Sequence, residues 1–189
     1  MNKFLRFGAV SAVAAASLGM STAAQAADTA SADAFAEILT ALELSLDTGS
    51  KLDFGSMVVT GVGGTVSLNA ATSALDCSVA TIVCSGTTEV AAFSITAGTA
   101  LKDVTIVFDA QNTKLLRSGG TSGVAADELV LDNFNSDANL VSDIAGDYYE
   151  VTLGTTGTSA FKVGGDLTFD GSETAGVYQG TFDVSVEYS

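Results

Sequence analysis

The chain has 189 residues, of which 22 are acidic and seven basic, giving a net charge of −15 at pH 7. That field repels nucleic acid and anionic lipid head groups, and the acidity itself reads as a solvated surface. With no His, Ser-His-Asp and Cys-His catalysis and His-built zinc or copper sites are excluded.

Residues 1–26 read as a cleaved secretory signal peptide. Lys3 and Arg6 form its positive start, residues 7–20 its short apolar run, and Ala24-Gln25-Ala26 its cleavage site. The run is too short to serve as a retained membrane anchor, which needs about 20 apolar residues. The mature chain then begins at Ala27 with 163 residues, and five basic residues against 22 acidic ones set its charge at −17. Its predicted home is the periplasm, the cell surface or the medium of a Gram-negative-type bacterium, without membrane insertion after cleavage. Residues 27–37 are predicted to be a flexible start, and residues 38–189 a single β-sandwich domain.

Next comes an apolar row with a period of two, Ala34, Ala36, Ile38, Thr40, Leu42, Leu44 and Leu46. Residues 33–42 have fair helix propensity, but the alternation favours a strand. Short alternating runs follow throughout the chain. Leu52 and Phe54 share a face, as do Val66 and Leu68, then Ala91, Phe93 and Ile95, then Val104, Ile106 and Phe108. Leu129 with Leu131, Tyr149 with Val151 and Leu153, and Phe161 with Val163, Leu167 and Phe169 continue the pattern. Such runs, separated by Gly, Asp, Asn, Ser and Thr in a chain without Pro, predict an all-β antiparallel sandwich.

Cys77 and Cys84 are the only cysteines, and in an exported chain they are expected to form a local disulfide at the base of a short loop. Gly61-Val-Gly63-Gly64 and Gly164-Gly165 read as turns between strands. Residues 119–146, crowded with Asp and Asn, read as an irregular solvated loop. Asn133-x-Asn135-x-Asp137 imitates the opening of a calcium loop, but Ala138 replaces the turn glycine and Ile144 the closing Glu. No metal or cofactor site is predicted. Paired carboxylates of the glycosidase kind would want aromatic platforms, and a chain with no Trp and four Tyr reads as a non-enzyme.

The chain closes on its clearest pattern. Tyr178, Phe182, Val184, Val186 and Tyr188 fall on one face of residues 176–188, with Gln179, Thr181, Asp183, Ser185 and Glu187 on the other. A terminal strand with one apolar face must be covered.

Leu52-Asp53-Phe54-Gly55 followed by Gly64-Thr65-Val66, then Val163-Gly164-Gly165-Asp-Leu167, then Ala175-Gly176-x-Tyr178-x-Gly180-x-Phe182 resemble the secreted bacterial domains of domain-of-unknown-function family 4402. The two ends are also similar to spore-coat-protein-U domains and to alternative chaperone–usher pilins. That resemblance implies an immunoglobulin-like, pilin-like sandwich lacking one strand. The gap would be filled by the N-terminal extension of the next copy, joined head-to-tail, with a periplasmic chaperone and an usher as further partners. The donor row would be Ala36, Ile38, Leu42, Leu44 and Leu46, and the groove would be flanked by Phe182, Val184, Val186 and Tyr188. A fibre or fimbria-like subunit is the function this implies. The alternative is a self-complete secreted sandwich serving binding, adhesion or a matrix, in which residues 38–46 pair within their own domain.

Overall fold

A computed structural model describes residues 30–108, 112–144 and 146–189. The signal-peptide reading lies outside these residues. Contacts divide the chain into two units, Met1–Glu37 and Ile38–Ser189. In the first, residues 30–37 are exposed and carry no regular structure.

The second unit is all-β apart from one 3-10 turn at Ala125–Asp127, among the described residues. Its strands begin with β1 (Glu43–Leu46), β2 (Ser56–Val59), β3 (Gly64–Leu68), β4 (Leu75–Asp76), β5 (Ile82–Ser85), β6 (Ala91–Ala97) and β7 (Asp103–Phe108). Then follow β8 (Thr113–Arg117), β9 (Glu128–Ser136), β10 (Asn139–Asp143), β11 (Gly146–Thr152), β12 (Ser159–Phe169), β13 (Tyr178–Gln179) and β14 (Val184–Tyr188). All strand pairings among the described residues are antiparallel. The larger sheet runs β1-β6-β12-β9-β8-β13, with β3 and β4 attached beside β12. The smaller runs β10-β11-β7-β14, and β2 and β5 form a separate ribbon.

The two main sheets curl over one another in a sandwich-like arrangement whose inner faces follow the alternation in the sequence. Val104 and Ile106 are buried on β7, while Asp103 is exposed. Ala91, Phe93 and Ile95 are buried on β6, Leu129 and Leu131 on β9, and Phe161, Val163, Leu167 and Phe169 on β12. Removing each such Val, Leu, Ile or Phe side chain from water stabilises the fold by about 1.5–3 kcal/mol. Six rings link the layers: Phe161 stacks on Phe93, Phe93 meets Phe182 edge-on, Phe182 stacks on Phe134, and Phe134 on Phe108, which meets Tyr149. Cys77 and Cys84 are joined by a disulfide, which ties β5 to the loop after β4.

Several sequence expectations change. Gly164-Gly165 is not a turn but the middle of β12, where that strand exchanges β6 for β3 along one edge. Residues 119–146 are not one irregular loop. They hold β9 and β10, because Asn and Asp side chains there tie strands together instead of breaking them: Asp137 accepts from the Lys162 N–H at 2.6 Å, and Asn135 bridges to β3. The row over residues 34–46 is a strand only at Glu43–Leu46. The terminal run breaks at Gly180–Asp183, because β13 pairs with β8 in the larger sheet and β14 with β7 in the smaller.

Candidate groove between two sheet edges

β1 is the last strand of the larger sheet and β14 the last of the smaller. Between these edges lies an open groove of about 420 Å³, largely apolar but also lined by Ser45, Ser50, Lys51, Thr181 and Asp183. Leu44 and Leu46 of β1 form one wall, and Gly180 to Val184 the other. Phe54, Ala91, Phe93, Leu115 and Leu131 form the floor. Phe182 is only half-buried although its ring stacks on Phe134 at 4.9 Å, and Val184, Val186 and Tyr188 are likewise half-buried. Leu46 keeps 52% of its surface exposed. Apolar residues on both walls are thus packed from below and open from above.

The Leu52-Asp53-Phe54-Gly55 motif builds one end of the groove. Asp53 exchanges backbone hydrogen bonds with Glu89, at 2.8 and 2.9 Å, which fixes the alternation that turns Leu52 and Phe54 inward. Its carboxylate accepts from Lys51 Nζ at 2.6 Å and from the Gly55 N–H at 2.8 Å. The Lys51 hydrogen bond, with that of Gly55, holds the Asp53 carboxyl below its usual range. Gly55 has φ +77°, and a Cβ there would come within 2.7 Å of the Ser85 carbonyl oxygen. Only glycine satisfies both the backbone conformation and the space.

Gly180 lets the opposite wall approach β8. A Cβ on it would meet the Lys114 carbonyl oxygen at 2.7 Å and the Leu115 side chain at 2.8 Å. Gly176 instead lies beside the Arg117 side chain. Tyr178, grouped with the groove residues in the sequence reading, lies elsewhere. It sits on β13 against β8, with its hydroxyl within hydrogen-bond distance of the Ala126 and Thr174 carbonyl oxygens, at 3.0 and 2.6 Å. Burial raises its phenol pKa.

Val186 and Tyr188, expected to flank the groove, lie on β14 beyond its lining, and Tyr188 joins that strand to the segment ahead of β1. Its hydroxyl donates to the Thr40 carbonyl at 2.6 Å and accepts the Thr99 N–H at 2.7 Å. The Thr40 N–H in turn donates to Thr99 Oγ1 at 2.7 Å. Of the predicted donor row, Leu42 and Leu44 pack against their own core, while Ala36 and Ile38 are exposed, Ile38 to 95%. Leu52, Leu115 and Leu131 are groove residues that the sequence reading did not connect to it. Leu52 and Leu131 were marked only by alternation with Phe54 and Leu129, and Leu115 by nothing in its own strand.

Away from the groove, Asn133, Asn135 and Asp137 do not converge. Asn133 donates to Asp166, Asn135 bridges Leu68 and Ala70, and Asp137 holds Lys162. Among the described residues no group of three or more His, Cys, Asp and Glu could hold a metal ion. Asp132 lies opposite Asp166 across β9 and β12, and its buried Oδ1 has no hydrogen-bond partner. Burial first, then the Asp166 charge, raises its carboxyl pKa. A raised folded pKa favours the acid form, so the associated stability is present at low pH and lost as pH rises through the folded value. Asp132→Asn is therefore expected to raise stability at pH 7 by about 0.2–1 kcal/mol. The gain should shrink as pH falls toward 4, the usual carboxylate range. Melts at the two pH values check this, and an equal gain at both would contradict it.

No curated protein and no solved structure matches the chain. A family model does, over residues 44–188, from the first leucine of β1 to the tyrosine that ends β14. The chain belongs to the family described as Domain of unknown function (DUF4402).

Proposed function

We propose that the protein is a structural subunit of a surface fibre, an immunoglobulin-like, pilin-like domain joined head-to-tail by a strand that a neighbour donates. The observation that carries this reading is the open apolar groove lying between two sheet edges. Such a groove suits β-augmentation, in which main-chain bonds supply affinity and alternate side chains fill pockets. A head-to-tail contact of this kind propagates instead of closing.

The donor is the exposed stretch of residues 30–38 from the next copy. Nine extended residues reach about 30 Å, more than enough to span the five residues, Gly180 to Val184, that form the wall. Ala32, Ala34, Ala36 and Ile38 present an uncharged row, with Asp33, Phe35 and Glu37 on the opposite face. Leu42, Leu44 and Leu46 are not donated in this scheme, since β1 already pairs with β6 of its own chain. The disulfide suits the oxidising compartments outside the cytoplasm. A periplasmic chaperone and an usher are the partners such an assembly would use.

The cis pairings of β1 with β6 and of β14 with β7 favour a second reading, a self-complete secreted module whose groove holds a ligand. One experiment separates the two. Residues 39–189 are prepared alone and melted with a peptide of residues 27–38. Bound peptide at a hundredfold excess over its Kd stabilises by about 2.7 kcal/mol. At about 2–4 °C per kcal/mol, the melting temperature should rise by about 5–10 °C. An unchanged melt, with residues 27–189 monomeric at every concentration, would overturn the fibre reading in favour of the self-complete module.

A further inference from the structure

The extension that would fill a groove is continuous in sequence with β1, whose Leu44 and Leu46 line that groove, so closure in cis competes with exchange. We propose that Tyr188 and the turn-poor stretch Ile38-Leu-Thr-Ala-Leu42 stop the extension from entering its own groove and so commit it to a second copy. This rests on the donor-strand reading above.

Two independent observations carry the inference. To reach its own groove, the extension would have to reverse immediately before β1 and lie along that strand's outer edge as a tight hairpin. Tight hairpins need positive φ in the loop, which Gly, Asn and Asp supply. Residues 38–42 contain none of the three, and Ile38, the β-branched Thr40 and the leucines strongly resist that conformation. Second, a hairpin would require the Thr40 main chain for its own loop or for the first pair across to β1. Both of its groups are already engaged, the N–H with Thr99 Oγ1 at 2.7 Å and the carbonyl with the Tyr188 hydroxyl at 2.6 Å. The Tyr188 hydroxyl gives its one proton to the Thr40 carbonyl and also accepts the Thr99 N–H. Closure in cis must therefore break this three-residue clamp and force a poor turn. Entry into a neighbour's groove requires neither.

The test compares three forms of residues 27–189 by sedimentation: the natural sequence, Tyr188→Phe, and a triple variant Thr40→Asn/Ala41→Gly/Tyr188→Phe that supplies a hairpin turn and removes the clamp. The natural form should assemble into a concentration-dependent series. Tyr188→Phe, which keeps the ring and loses only the hydroxyl, should raise the monomer fraction about five- to thirtyfold. The triple variant should be monomeric and should not take up the peptide of residues 27–38. A natural form that stays monomeric while residues 39–189 bind that peptide would show closure in cis and overturn the clamp alone. Equal assembly of all three forms would also overturn it alone. Failure of residues 39–189 to bind the peptide would overturn the donor-strand reading and the clamp with it.

Discussion

Gly164→Ala is expected to destabilise the domain by about 3 kcal/mol or more, summing overpacking with the loss of a buried hydrogen bond. At Gly164 β12 leaves β6 and takes up β3, and the gap at the junction is bridged by Asn135. The amide Nδ2 donates to the Leu68 carbonyl at 3.1 Å, and Oδ1 accepts the Ala70 N–H at 2.7 Å. A methyl group on Gly164 would overlap the Leu68 carbonyl oxygen and stand 2.9 Å from both the Ala70 nitrogen and Asn135 Oδ1. Two of these atoms are backbone and cannot swing aside. Gly165→Ala is the control, because its new methyl would meet neighbours at 3.2–3.5 Å, two of them side-chain atoms of Leu131 and Phe134. Urea unfolding of both variants measures the difference. A Gly164→Ala protein no less stable than Gly165→Ala would refute the account.

Phe134→Ala is expected to cost about 3–5 kcal/mol. Phe134 is buried, stacks on Phe108 of the smaller sheet at 5.5 Å and on Phe182 of the groove wall at 4.9 Å. It points inward because β9 bulges beside it. Leu131 pairs with Leu167 and Asp132 with Asp166, but Asn135 pairs with Gly164, leaving Asn133 and Phe134 opposite Gly165. Asn133 takes a φ of +45°, and the extra residue shifts the inward positions from odd to even numbers. The substitution should therefore do two things, lower the melting temperature and weaken binding of the 27–38 peptide to residues 39–189. A large stability loss with unchanged peptide affinity would separate the groove wall from this ring.

Much of the architecture was legible because most strands bury one face and wet the other. Ala91, Phe93 and Ile95, or Val104 and Ile106, announce their inner side with no help from neighbours. What stayed hidden depends on partners distant in the chain. A Gly-Gly pair looks like a turn unless it is known that β3 crosses there. Asn133, Asn135 and Asp137 look like a loop because their strand-tying contacts, to Asp166, Leu68 and Lys162, lie 25 to 67 residues away. The groove was half legible. Phe182 and Val184 stood out, whereas Leu115 in Thr-Lys-Leu-Leu-Arg carries no alternation to mark it. The break at Gly180–Asp183 was masked by perfect alternation across it, since a strand that changes sheets keeps its apolar face toward the same core.

The link from Tyr188 to Thr40 and Thr99 also has a mechanical meaning. Any pull on the chain ahead of Ile38 first loads the two hydrogen bonds at Thr40, before the four residues of β1 are stressed. Those bonds end on Thr99, at the connection between β6 and β7, and on Tyr188 of β14, so tension spreads into both sheets at once. The tyrosine hydroxyl acts as a strain relief, keeping force on the N-terminal end from peeling β1 off β6 one residue at a time.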